Sequence, residues 1–318
     1  MKNIIKFTML ASFGVLAGCN SGGSSGAKFV HQYALLETDT AKKALEDGTT
    51  LEAAEGSSVA TKVNHAERSI ALNNRLAVKI TTNPDGGFDL EANGVKVSFA
   101  AGDIDGAYDY FKEITKDGKD ESFSLWNAAG TRSELLDGSD KQKFHRIIGY
   151  YLNVDGADTR GLIVTGTETP EDVLKISEMK AKYSGTFRAD TYGKVFDDPR
   201  ANSVRVRVRG VVSLEADFAE KIIAGSISSL ETKGPEDSTY SALQGSVSLD
   251  QTAIKDNSYS GKFTSDFEEG GYLNGDYDGK FYGNDAQETA GTLKGSGKFE
   301  TVDLVGTGAF TATKDPQP

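Results

Sequence analysis

From Gly271 to Gly297 the chain alternates at a period of two. Leu273, Gly275, Tyr277, Gly279, Phe281 and Gly283 share one face, and Asn274, Asp276, Asp278, Lys280 and Tyr282 share the other. That pattern predicts a strand with one face in a core and a polar outer face. Bulky side chains interleaved with glycine suit the inner face of a small closed barrel, which must be filled without overcrowding and whose strands must bend. Similar segments at 182–191, 203–217, 222–230, 242–250, 258–266, 272–283, 288–297 and 302–313 predict eight consecutive antiparallel strands with short connections, enough to close an up-and-down β-barrel. Val204, Val206 and Val208 would point inward and Arg205, Arg207 and Arg209 outward to acids on adjacent strands. A barrel filled by Phe187, Val206, Val208, Leu214, Tyr277 and Phe281 should be solid inside, able to fold by itself, and should leave binding to loops or to the preceding domain.

That preceding region reads as hairpins with little helix. Residues 41–47, with Thr38, Asp39 or Thr40 before them and Gly48 after, predict a short helix. Strands are predicted at 75–82, 88–91 and 95–99, and a hairpin at 144–154 and 159–167 turns on Asp155-Gly156. Residues 108–115 fit helix or strand, and Thr169-Pro170 opens a charged link to the barrel. The expected organisation is a leader at 1–18, a tether at 19–28, a β-rich domain at 29–180 and the barrel at 181–318.

The leader has Lys2 and Lys6, an apolar run from Phe7 to Val15, and Leu16-Ala17-Gly18 before Cys19. This predicts a bacterial lipoprotein signal in which Cys19, the only cysteine, becomes the lipidated first residue. The run is too short to span a bilayer. Without Lys2 and Lys6 the formal charge falls from −12 to −14, which repels phosphate backbones and argues against nucleic acid as a partner. With 36 glycines and 6 prolines in 318 residues, the composition agrees with a mostly β chain long enough for two cores.

Chemistry-bearing motifs are few. Asn274, Asp276, Asp278, Gly279 and Asp285 match the spacing of a calcium loop, but such a loop coils around its ion, whereas Tyr277, Phe281 and Tyr282 continue an extended alternation. Gly22-Gly-Ser24-Ser-Gly26 lies in the tether, not in the strand-to-helix turn of a hydrolase. His31, His65 and His145 are far apart and show no metal spacing, so no enzyme is indicated and no resident cofactor is called for. The candidate ligand-binding residues are His65, His145 and the aromatics Tyr108, Tyr110, Phe111, Trp126, Tyr150 and Tyr151, large side chains with less certain strand partners.

Gly279-Lys-Phe-Tyr-Gly-Asn-Asp-Ala-Gln-Glu-Thr-Ala-Gly291 follows a Gly-x-Phe-x-Gly-x-x-Ala-x-Glu-x-x-Gly pattern. With Asp217-Phe218, Ile223-Ala-Gly225-Ser-Ile227 and Tyr183-Ser-Gly185-Thr-Phe187, it resembles the β-barrel domain of transferrin-binding-protein-like surface lipoproteins of Gram-negative bacteria. The resemblance reaches the first half only by analogy. It implies a handle-like domain before the barrel, a lipid anchor in the outer membrane at the cell surface, and capture of haem or a transferrin-like protein for an outer-membrane transporter. If haem is the ligand, His65 or His145 would be the axial residue. The alternative within the same resemblance is a generic surface lipoprotein that binds another host or environmental protein and has no iron role.

Overall fold

Three antiparallel sheets carry the chain in a computed structural model, which describes residues 50–52, 58–64, 67, 69–74, 78–82, 88–92, 95–100, 102–103, 110–116, 119–128, 144–166, 168–176, 180–194, 204–268 and 270–316. The expected helix at 41–47, the leader and the tether lie outside the described residues. A four-stranded sheet contains β1 (Thr50–Glu52), β4 (Val78–Thr82), β5 (Phe88–Ala92) and β6 (Val95–Phe99) in that order. A six-stranded sheet runs β3 (Ser69–Asn74), β2 (Ser58–Asn64), β10 (Ala157–Gly166), β9 (His145–Val154), β8 (Lys119–Asn127), β7 (Tyr110–Lys116). The two share one core, in which Val78, Leu90, Val97 and Phe99 meet Phe123, Leu125, Ile148 and Leu152. The β9–β10 hairpin turns on Asp155 and Gly156 at φ of 52° and 75°, the left-handed pair that an Asp-Gly turn supplies. Residues 110–116, open to either reading in the sequence, form an edge strand paired with β8 along its length.

Pro170 ends β10's connection and a single helical turn, α1 (Glu171–Ile176), leads into the third sheet. Here β11 (Lys180–Lys194), β12 (Val204–Asp217), β13 (Ile222–Lys233), β15 (Gly245–Lys255), β16 (Ser258–Phe267), β17 (Gly271–Tyr282), β18 (Glu288–Phe299) and β19 (Val302–Lys314) pair in sequence order. The β11–β19 ladder joins last to first, so the eight strands form a closed antiparallel barrel. One expected strand is split. Ser241–Ala242 forms the two-residue β14, and the chain re-enters the barrel at Gly245, whose φ of 132° no side chain adopts readily. The segment with calcium-loop spacing is extended throughout β17, bonded to β16 on one side and β18 on the other.

One end of the barrel is plugged by aromatic rings. Phe281 lies 5.2 Å from Phe218, 5.3 Å from Tyr259 and 5.9 Å from Tyr183, centroid to centroid, and Leu174 of α1 belongs to the same core. Each hydroxyl has an acceptor or partner: Tyr183 donates to Ala286 O at 2.8 Å, Tyr277 to Asp250 O at 2.6 Å, and Tyr259 shares 2.5 Å with Thr289 Oγ1. Burial disfavours the phenolate of these rings. It pushes Tyr277 from 10.0 up to about 12, helped by the Asp250 charge, and raises Tyr183, Tyr259 and Tyr282 as well. A folded-state value above the unfolded one stabilises the fold below the unfolded value and is lost as pH rises through the folded one. The urea midpoint should therefore fall as pH climbs above 10, with the tyrosinate absorbance of these four rings appearing only as the barrel unfolds. Ionisation of all tyrosines in a still-folded protein would contradict this packing.

Candidate functional site

Outside the barrel, the six-stranded sheet covers β11, β17, β18 and β19. Ile147 and Val164 pack on Tyr282, Ala290 and Ala309, and Val63 and Ile70 pack on Tyr192 and Val305. Tyr282, expected on a polar outer face, is therefore 2% exposed; the six-stranded sheet, not water, occupies that side. Glu168 bridges to Tyr282 and accepts from Lys280 Nζ at 2.6 Å, while Thr169 donates through its amide to Phe281 O and through its hydroxyl to Gly283 O.

The centre of this interface is a buried polar cluster. Glu288 Oε2 accepts from Phe144 N at 3.0 Å and His145 Nδ1 at 2.7 Å, and His145 Nε2 lies 2.7 Å from Thr311 Oγ1. The imidazole is fully buried and stacks beside Tyr282 at 5.2 Å. Both ring nitrogens are engaged within the interface, Nδ1 by Glu288 and Nε2 by Thr311, so the side chain expected as an axial haem ligand is placed between β18 and β19. The motif that carries the resemblance serves both the plugged end of the barrel and this interface. Gly279 leaves room for the Tyr259 ring, Gly283 takes φ of 87° against Phe144, Ala286 accepts from Tyr183, and Glu288 holds His145.

Among the described side chains, the remaining candidates do not converge. His65 and Tyr108 lie outside the described residues, and Tyr110 is placed only as the first residue of β7. Trp126 is half-buried across Gly149 of the next strand, and Tyr150 is completely buried across Gly161 in the core of the six-stranded sheet. Tyr151 donates to Asp158 at 2.7 Å and carries the Arg160 guanidinium 4.5 Å over its ring. On the barrel, Arg205 makes a paired contact with Asp190 at 2.8 and 2.9 Å and Arg209 pairs with Glu231, as expected of an outer ladder. No group of three or more His, Cys, Asp and Glu side chains able to hold a metal occurs among the described residues.

The barrel interior departs from the solid core expected of it. Opposite the aromatic plug is a cavity of about 420 Å³, bounded by Val204, Val206, Val208, Leu230, Phe267, Leu273 and Leu293. Its cause lies in inward side-chain size. Along β11 the inward series runs Tyr183, Gly185, Phe187, Ala189, Thr191, Gly193, and the paired strand presents Gly308 beside Ala189 and Gly306 beside Thr191. Rings fill the plugged half and small residues leave the other half open. That fall in size was present in the sequence and would have located the cavity.

Residues 177–314 match the family model described as C-lobe and N-lobe beta barrels of Tf-binding protein B. No curated protein matches the chain. Among solved structures, it is similar to a variant of transferrin binding protein B from Haemophilus parasuis at 16% identity, covering 82% of this chain and 46% of that one with a TM-score of 0.41. It is also similar to the isotype 1 transferrin binding protein B of Neisseria meningitidis, at 16% identity, 81% and 43% coverage and a TM-score of 0.39. This chain spans less than half the length of either.

Proposed function

We propose, from the premise that residues 177–314 are a TbpB-like β-barrel domain, that the protein is a non-enzymatic, lipid-anchored surface protein of the outer membrane that captures an iron-carrying host protein for an outer-membrane transporter. The match of the barrel segment to that family carries the reading. Cys19 at the end of the leader is the anchor. A protein is favoured over haem as the iron source because His145, one of two axial candidates, has both nitrogens occupied within the interface. Cells displaying the wild type should retain labelled holo-transferrin, and cells making Cys19→Ala should lose that retention while the purified variant still binds. Absence of retention by wild-type cells shown by antibody to display the protein would leave the generic surface lipoprotein. A Soret shift of the purified wild type that disappears in His65→Ala would return the haem reading.

A further inference from the structure

The cavity in the open half of the barrel is a built apolar compartment. An eight-stranded barrel is just wide enough either to be filled by its own side chains or to hold one small ligand. This barrel does both, at opposite ends. At about 420 Å³ the open half falls within the range of small-molecule sites. Among the described residues no charged side chain lines it, and Thr191, Thr232 and Ser265 are among its few polar residues. Ser265 is already engaged, since its hydroxyl accepts from Leu273 N at 2.6 Å. An ionised group placed here would lose its hydration without gaining a partner. Apolar rim residues are meanwhile in contact with water: Val204 is 41% exposed, and Val206, Val208, Leu243, Phe267 and Leu273 are only partly buried. Apolar surface that is enclosed by a barrel wall and still wet gains free energy from an apolar guest.

We infer that the open half of the barrel binds an uncharged aliphatic molecule or chain, with its long axis along the barrel and any polar end at the mouth. The closed end sets the depth, because the rings of Tyr259, Tyr277 and Phe281 stop the guest. The side formed by β11 and β19 sets the width, because Ala189, Thr191, Gly306 and Gly308 keep that wall thin. Such a chain has two sources, a free lipid or the acyl group that Cys19 is expected to carry, and both offer the same methylenes. The inference is independent of the iron reading, and its test uses no iron compound.

The test is a titration of the full-length mature protein bearing Cys19→Ser, so that no covalent lipid competes, with the uncharged fluorophore N-phenyl-1-naphthylamine. The expected result is one saturable site with enhanced fluorescence, displaced by dodecanol and at least tenfold less readily by dodecanoate, whose charge finds no partner in the cavity. Val206→Trp and Thr191→Phe, which fill the open half, should each weaken binding at least tenfold with an unchanged circular dichroism spectrum. Ile114→Ala, at an exposed position of β7 in the first domain, should leave it unchanged. Weaker probe binding by the lipidated wild type than by Cys19→Ser, with free alcohol still competing, identifies the protein's own acyl chain as one occupant; equal binding identifies free lipid. Probe affinity that survives in both filling variants, or no saturable binding to any form, would overturn the inference.

Discussion

Replacing Glu288 by Ala should destabilise the protein by about 1–3 kcal/mol for each buried donor that it leaves without this acceptor. The Glu288 side chain is 3% exposed and the His145 side chain 0%, so neither group left behind can recover water. Without the carboxylate, the Phe144 amide and His145 Nδ1 both lose their acceptor. Without the imidazole, in His145→Ala, the carboxylate loses the Nδ1 contact and remains in a dry interface. Glu288→Gln should cost less than Glu288→Ala, because the amide oxygen still accepts from one of the two donors. The double variant should lose less than the sum of the single ones, with a coupling of about 0.5–3 kcal/mol, as expected for residues in one network. Urea unfolding of the four variants measures this directly. Losses within about 0.5 kcal/mol of zero, the range of ordinary surface substitutions, would mean that the domains do not close on this pair.

How far the sequence could be read depended on whether the responsible interactions were local. Period-two alternation is local, so all eight barrel strands appeared in it, as did the hairpin at Asp155-Gly156. Alternation alone predicts polar, wet outer faces, and there the structure differs. From Glu288 to Leu293 and from Val305 to Ala312 both faces of the strand are buried, because the six-stranded sheet covers the outside while the barrel fills the inside. The sequence does mark this. Apart from Glu288, which holds His145, the outward positions there are Ala290, Thr292, Val305, Thr307, Ala309 and Thr311, small and uncharged, whereas β12 places Arg205, Arg207 and Arg209 outward. A strand whose outer face loses its charges is covered by something. The fate of His145 could not be read in this way. Its partner lies 143 residues away, and a histidine free for a metal is indistinguishable in sequence from one tied to a distant carboxylate. The cavity belongs to a third class, legible but unread: alternation gives which residues point inward, and only their volumes, taken strand beside strand, give whether the interior is full.

The same volumes make Gly291→Val one of the most damaging single changes expected in the barrel. Gly291 stands between Gly279 on β17 and Phe310 on β19. A Cβ there would sit 2.0 Å from Asp278 O and 2.6 Å from the Phe310 ring, closer than real side-chain carbons approach any atom. A ring can rotate, but a backbone carbonyl in a closed barrel moves only if the β17–β18 ladder parts, and closure leaves no free edge to absorb the shift. Overpacking typically costs about 1–3 kcal/mol, and a backbone clash within the central ladder should reach or pass the top of that range. Valine adds two more carbons to the collision. Against a total stability of about 5–15 kcal/mol, the variant should accumulate as insoluble protein or show a clearly lowered urea midpoint. Adding Phe310→Ala relieves only the ring contact, so it should not restore the fold and should add the cost of a cavity. Gly102→Ala is the control: nothing lies within 4 Å of a Cβ at that position, and stability should stay within about 0.5 kcal/mol of wild type. A soluble Gly291→Val protein with the wild-type midpoint would mean that β17 and β18 are not in the register that sets Gly291 opposite Gly279.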